Sequence, residues 1–267
     1  MTRTAIIAGR GALPAAVAAA VERPFVAALE GFDPAGVEPD LRFRVERLVP
    51  FLRALEEAGV SRVCFAGAVQ RPRLDPALFD PDTATMVPRL LAAMGQGDDA
   101  TLREVLAIFE EAGFALAGVA ELAPALVPGA GVLCGTVGER DRADAGRAAV
   151  IVAALGRVDV GQGAVVQQGL CLAVEALPGT DAMLAGVAAI PAGLRPAGAK
   201  GVFYKAPKPA QDRRIDLPAL GVETVRRVAA AGLGGIVWEA GGVICLDLPA
   251  MVAEAEAAGL FLWAREP

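Results

Sequence analysis

Between Lys205 and Leu220 the chain reads KAPKPAQDRRIDLPAL, which sets Lys205, Lys208, Arg213 and Arg214 around Asp212 and Asp216. Four cations beside two carboxylates suit a phosphate substrate. The cations neutralise phosphate charge, and a carboxylate holds a metal or orients water. Pro207, Pro209 and Pro218 stiffen the stretch. Asp216, between Ile215 and Leu217-Pro218, is expected to be held rigidly at the end of a strand or loop. The competing reading is a solvated basic loop whose acids merely balance it, and composition alone does not choose between the two.

The rest of the composition narrows the chemistry. None of the 267 residues is histidine. Ser-His-Asp and Cys-His catalysis, His-ligated zinc and imidazole bases are therefore closed to a single chain. Acid–base work falls to Asp, Glu, Lys, Tyr204 or Cys, and oxygen ligands favour Mg²⁺, with Mn²⁺ as the alternative, over zinc. A net charge of -6 argues against nucleic acid as a partner. Cys64, Cys134, Cys171 and Cys245 form no C-x-x-C pair and are expected to be buried, reduced and inert, as in a cytoplasmic protein. No apolar run reaches the roughly 18–20 residues needed to span a bilayer, and the N-terminus opens on a strand rather than a signal peptide. With 55% hydrophobic but only 5% aromatic residues, Ala, Val and Leu must fill the core.

Other segments offer candidate ligand contacts. In GRGALP, Gly9 and Gly11 would let the backbone approach a phosphate at the start of a helix, with Ala12 and Leu13 alongside. Pro14 occupies the third glycine position of the dinucleotide fingerprint, however, and a tight turn needing glycine for steric reasons explains the motif equally well. Gly67, Ala68 and Arg71 follow a buried strand and would face the same crevice, where Arg71 could pair with a phosphate. Asp98 and Asp99 read first as a helix start, though paired carboxylates also bind Mg²⁺. Thr180 and Asp181 read first as helix caps. Gln162, Gln167 and Gln168 lie near a turn and could read uracil or an amide.

These segments need a scaffold. Thr4–Ala8, Phe25–Leu29, Arg62–Ala66 and Phe114–Val119 are predicted strands. Pro14–Val21, Pro50–Ala58, Thr83–Met94 and Leu102–Ala112 are predicted helices, the last with a Thr101/Glu104 capping box. This alternation predicts a Rossmann-like parallel sheet covered on both faces. Leu126–Gly138, rich in Gly and Pro, is the expected linker, giving an N-terminal domain over 1–130 and a catalytic C-terminal domain over 131–267. In the second half, helix Arg142–Leu155 precedes strands Gly163–Gln167 and Leu170–Glu175 about a Gln168-Gly169 turn, then a helix over Asp181–Ala189. Gly201–Lys205 is a further strand that delivers the KAPKP loop at its end. Strands Gly235–Glu239 and Val243–Asp247 about Gly241-Gly242, with helix Pro249–Ala258, look like a second β-β-α unit. Hairpins of this kind imply a mixed α/β domain.

The basic block also carries a resemblance. KAPKP, then Q-D-x-R-x-D-L-P and Gly221, resembles the signature of the LpxI family, the UDP-2,3-diacylglucosamine diphosphatases of lipid A biosynthesis. Five further segments agree in order: IAGRGALP (Ile7–Pro14), CFAGAVQRP (Cys64–Pro72), GDDATLREV (Gly97–Val105), DVGQGAVV (Asp159–Val166) and AVEALPGTDAML (Ala173–Leu184).

The resemblance implies Mg²⁺-dependent hydrolysis of UDP-2,3-diacylglucosamine to 2,3-diacylglucosamine 1-phosphate and UMP. It carries the essential aspartate to Asp216, with Lys205 and Lys208 stabilising diphosphate charge. Asp98, Asp99 and Asp212 join Asp216 as candidate metal ligands. Gly9, Gly11, Ala12, Leu13, Gly67, Ala68, Arg71, Thr180, Asp181, Gln211 and Arg214 become candidate substrate contacts in a cleft between the domains. It also implies a cytoplasmic protein peripheral to the inner membrane, for which a homo-oligomer is compatible. Two positions depart from the family's usual pattern: Arg10 stands between the glycines of the opening loop, and Ala68 stands where Asn is expected. An NAD-linked oxidoreductase and a non-catalytic lipid or nucleotide carrier are the rival classes.

Overall fold

Short alternating apolar runs become the strands of two large sheets, each sandwiched by helices, and of a small two-stranded one. A computed structural model describes residues 3–69, 73–209 and 211–267, without the side chains of Asp98 and Asp99. The chain divides into two compact units, residues 1–124 and 125–267.

The first unit runs β1 (Arg3–Ala8), α1 (Leu13–Ala20), β2 (Phe25–Leu29), β3 (Leu41–Phe43), α2 (Leu48–Glu57), β4 (Val60–Ala66), α3 (Pro81–Ala84), α4 (Val87–Met94), α5 (Asp98–Glu111), β5 (Ala115–Leu116) and α6 (Val119–Leu122). Its strands pair in the order β3-β2-β1-β4-β5, all parallel, as the Rossmann-like reading expects. The period-two pattern splits β1 and β2 between two cores. Ala5, Ile7 and Ala27 pack with Phe51, Leu55, Leu90 and Phe109 from α2, α4 and α5, whereas Ala8, Val26 and Ala28 pack towards Ala18 of α1.

Three local expectations change here. The helix predicted over Thr83–Met94 is two helices, because Pro88 lacks the N–H needed to continue a helix from α3 and instead sits in the first turn of α4. The Thr101/Glu104 capping box is absent: α5 begins four residues earlier than predicted, at Asp98, and the Thr101 hydroxyl donates back to the Gly97 carbonyl at 2.8 Å. The strand over Phe114–Val119 shrinks to Ala115–Leu116, because Gly118 starts the short helix α6.

The second unit runs β6 (Gly131–Cys134), α7 (Glu139–Arg157), β7 (Gly163–Gln167), β8 (Leu170–Val174), α8 (Gly179–Ala188), β9 (Val202–Lys205), β10 (Ala219–Leu220), α9 (Val222–Ala230), β11 (Gly235–Glu239), β12 (Ile244–Cys245), α10 (Leu248–Ala257) and β13 (Phe261–Arg265). Six strands form a mixed sheet in the order β6-β13-β11-β9-β7-β8. At its centre β9, β11 and β13 are parallel, while β7 runs antiparallel to both β8 and β9. One face packs on α8, α9 and α10 through Leu184, Phe203, Val225, Trp238 and Met251. The other packs on α7 through Ala145, Ala148, Val152, Val166, Val202 and Tyr204.

The β7–β8 hairpin turns through Gln168 (φ 53°) and Gly169 (φ 79°), a pair of left-handed residues matching the right-handed strand twist. Buried Asp144 of α7 fixes this turn, accepting from the N–H groups of Gln168 (2.9 Å) and Gly169 (2.7 Å). The second β-β-α unit is not a hairpin. Strand β11 is already paired on both edges by β9 and β13, so β12 leaves and pairs in parallel with β10 in a separate two-stranded sheet. Of the four cysteines, Cys64, Cys134 and Cys245 are buried and Cys171 is exposed on β8, correcting the expectation that all four are buried.

Candidate functional site

The strand Val202–Lys205 alternates between the two faces of its sheet, which sends Phe203 into the α8–α10 core and puts Lys205 on the same face at the strand's carboxyl end. Lys205 is only 5% exposed. A buried ammonium needs a counter-charge. It is supplied by Glu175, which follows β8, with Nζ–O distances of 3.0 and 3.3 Å, and the Thr180 hydroxyl in the first turn of α8 accepts a further bond at 2.6 Å. Thr180 is therefore not the helix cap expected from sequence: the cap position is Pro178, which makes no side-chain bond. Asp181 points to Arg227 of α9 at 3.2 Å.

Beyond Lys205 the KAPKP segment lies close against two glycines. A Cβ on Gly156 would come within 2.7 Å of Pro209, and one on Gly242 within 3.0 Å of Pro207. Lys208 reaches Asp159, a left-handed residue (φ 58°) just past α7, at 2.5 Å. The following turn is built around Gln211. Its side-chain oxygen accepts from the Lys208 N–H (2.9 Å) and from Gln162 Nε2 (2.6 Å), so its amide N–H₂ faces Asp216 Oδ2, to which it donates. The Asp216 N–H donates to the Asp212 carbonyl at 3.2 Å, closing the loop on itself. Arg214 donates to both carboxylate oxygens of Asp212, and its guanidinium holds that carboxyl below the usual range against the opposing effect of partial burial. Arg213 lies 2.7 Å from Glu239 at the end of β11, an ion pair without hydrogen-bond alignment.

One edge of the second unit thus gathers Lys205, Thr180, Lys208, Gln211, Asp212, Arg214 and Asp216 from the sequence-predicted set. The edge lies at the carboxyl ends of β9 and β11, where open α/β sheets place ligands. Sequence reasoning passed over Glu175, Asp159 and Glu239, the counter-ions of Lys205, Lys208 and Arg213. Glu175 and Glu239 each left a signal, as the single acids in the apolar runs Leu170–Leu177 and Leu233–Leu246. Gln167 serves the scaffold instead. It donates to the Pro196 and Ala199 carbonyls and accepts from Arg195.

Among the described residues, no three Asp, Glu or Cys side chains gather in a metal-binding arrangement. Asp159, Glu175, Asp212 and Glu239 each face a cation. That donor set does not make an all-protein cage. Carboxylates of this kind suit the way Mg²⁺ is held at nucleotide sites, through one or two carboxylates with the substrate's own phosphate oxygens.

The other predicted contacts belong to the first unit. After β1 and β4 the chain forms a backbone clasp: Gly9 N–H donates to the Ala66 carbonyl (2.8 Å), Arg10 N–H to Ala68 (2.8 Å), and Ala68 N–H back to Arg10 (3.0 Å). A Cβ on Gly9 would sit 2.6 Å from the Ala68 oxygen, and Gly67, at φ 96°, would meet the Arg10 oxygen at 2.8 Å. Glycine is thus required for steric reasons, and the N–H groups of Gly9 and Arg10 are already spent. This clasp bridges β1 and β4, the point where strand order reverses and a Rossmann dinucleotide would lie. Glu30, which follows β2 where a dinucleotide site carries its ribose-binding acid, is engaged by Arg44 at 2.6 Å. The Arg10 guanidinium donates to the Gly31 carbonyl at 2.9 Å and stacks over Phe32. Gly11 (φ 94°) leads into Ala12 and Leu13 at the start of α1. Asp98 and Asp99 open α5. Arg71 lies outside the described residues.

Comparison with known families decides the relationship. The LpxI N-terminal domain matches residues 3–126, and the LpxI C-terminal domain matches residues 129–263. The chain belongs to the LpxI family. Among curated relatives, the UDP-2,3-diacylglucosamine pyrophosphatase LpxI of Caulobacter vibrioides is 40% identical over 277 aligned positions, covering 100% of this chain and 99% of the relative. The family's C-terminal domain contains the whole cation–carboxylate edge.

Proposed function

We propose that this protein hydrolyses the diphosphate bridge of UDP-2,3-diacylglucosamine, giving 2,3-diacylglucosamine 1-phosphate and UMP in lipid A biosynthesis, with Mg²⁺ and with Mn²⁺ as the alternative ion. The observation that carries this reading is the full-length relationship to LpxI. The edge built from Lys205 to Asp216 supports it with chemistry suited to a diphosphate.

Asp216 would hold the ion together with phosphate oxygens, and Gln211 orients its carboxylate. The bound ion would neutralise charge on the diphosphate. Lys208 and Arg214, both within reach of solvent, would exchange Asp159 and Asp212 for phosphate oxygens as the substrate binds. Lys205 stays buried and, paired with Glu175, fixes Thr180 and the end of β8 at this edge. Cleavage consumes one water: its oxygen ends on one phosphorus, and the bridging oxygen leaves with the other. Little covalent help is needed, so positioning and charge carry the catalysis.

The test is UMP release from UDP-2,3-diacylglucosamine with and without Mg²⁺, for the native chain and for Asp216→Ala. Turnover that needs Mg²⁺ and nearly vanishes in a folded Asp216→Ala supports the assignment. Turnover that survives the substitution moves the chemistry elsewhere, with Asp98→Ala, Asp99→Ala and Asp212→Ala next. Tight binding without turnover in the native protein would favour the carrier reading.

A further inference from the structure

One stretch of surface stands apart in its chemistry. Between Leu170 and Leu194 the sequence has no lysine or arginine, and only Glu175 and Asp181 carry charge. Both acids are turned to partners, Glu175 to Lys205 and Asp181 to Arg227. The segment forms the edge strand β8, the loop Glu175–Pro178 and helix α8, followed by a single turn at Ala192–Leu194. Helix α8 buries Met183, Leu184 and Val187 and leaves Ala182, Ala185, Ala188 and Ala189 outward. In the same stretch Leu177 is fully exposed, Leu194 76% and Leu170 58% exposed. Exposed leucines gathered in one short stretch of chain point to an interaction site.

We infer that this surface, led by the Leu177-Pro178 loop, is where the protein docks on a lipid bilayer. The loop's position favours a lipid occupant over a protein one. Its two flanking residues, Glu175 and Thr180, hold Lys205 of the candidate site, so whatever the loop touches lies beside that site. The inference rests on the proposed function, in which the substrate carries two acyl chains that reside in a membrane. The stretch brings no cation of its own to anionic headgroups, so its leucines carry the docking: they enter the acyl boundary while the unpaired edge of β8 stays at headgroup level, where its N–H and C=O groups remain hydrated.

Flotation with phosphatidylcholine vesicles, and with vesicles of phosphatidylcholine and phosphatidylglycerol, tests this without substrate. The native protein should float with both, to similar extents and with little dependence on salt. Leu177→Asp should lower the partition coefficient by about tenfold or more, and Leu194→Asp should lower it less. Both positions are exposed, so melting temperatures should hold. Val150→Asp, at a 71% exposed valine on α7 across the sheet, should bind as the native protein does. The inference is overturned if the native protein does not float, if Leu177→Asp floats unchanged, or if Val150→Asp is as defective. It is also overturned if light scattering finds a dimer that Leu177→Asp dissociates while flotation is unaffected, which would assign the surface to a second copy. UMP release without flotation would remove the docking surface and leave the hydrolase; flotation without UMP release would do the reverse.

Discussion

Replacing Glu175 with alanine removes the counter-charge of an ammonium buried to within 5% of full enclosure, leaving Lys205 with the Thr180 hydroxyl in place of a carboxylate. Breaking a buried pair from one side costs about 3–5 kcal/mol, because the remaining charge is uncompensated. Glu175 lies at the sheet's end with 13% of its side chain exposed, so some water can enter and the low end, about 3 kcal/mol, applies. For a domain of this size, about 2–4 °C per kcal/mol gives a fall in Tm of about 6–12 °C. Lys205→Met should cost less, about 1–2 kcal/mol, since the orphaned carboxylate can turn to water. Lys205→Met combined with Glu175→Met replaces the pair by apolar volume and should melt above the Glu175→Ala variant. Thermal melts of the four proteins, followed by circular dichroism, decide the matter. A Glu175→Ala variant melting within about 2 °C of native, or a double variant no more stable than it, would refute the account of Lys205 as a buried, paired charge.

The clasp between the β1 and β4 loops predicts that Gly67→Ala, which meets both a positive φ and the Arg10 oxygen, costs about 2–4 kcal/mol, and Gly9→Ala about 1–3 kcal/mol, as read from urea midpoints. The folded Asp212 carboxyl titrates below its unfolded value, so the unfolded chain binds the extra proton in acid. The stabilisation it gives is complete above about pH 4 and is lost as pH falls through the folded value. Asp212→Asn should therefore flatten the acid limb of a plot of urea midpoint against pH, and an unchanged limb would count against the pair. Burial pushes the thiols of Cys64 and Cys245 up to about 12 and raises Cys134 and Cys171 as well, but of the four only the Cys171 side chain is exposed to reagent. Alkylation of the native protein should thus give a single adduct at Cys171, checked by mass spectrometry; early labelling of Cys64 or Cys245 would contradict the core.

Elements whose side-chain pattern and turn chemistry agree were legible from sequence. The Gln168-Gly169 turn marked a hairpin because both residues can take left-handed backbone, and the flanking strands fall where the pattern put them. Glycines at Gly241 and Gly242 looked equally like a hairpin turn. Whether two strands pair depends on whether the first has a vacant edge, and β11 has none. Short strands such as Leu41–Phe43 and Gly131–Cys134 give too few alternations to stand out, and β13 was overlooked beside the helix preceding it. In the candidate edge, the local block from Lys205 to Asp216 was visible because its residues are close in sequence. Its counter-ions were not, because Glu175 lies 30 residues before Lys205 and Asp159 lies 49 before Lys208. Spacing cannot reveal a partner that only the sheet brings near.

The pairing of β6 with β13 has a bearing on how the chain is made. Cys134 stands opposite Leu262, so the first strand of the second unit waits for Phe261–Arg265 before its ladder can form. The first unit needs nothing beyond Leu122 for its sheet and can close while translation continues. The second unit cannot, and through that interval the cation-free stretch from Leu170 to Leu194 is already outside the ribosome without the sheet it packs on. Synthesis therefore sets a window in which this segment is open to chaperone capture or to self-association, and slowing elongation between Leu194 and Phe261 should lower soluble yield more than slowing it before Leu122.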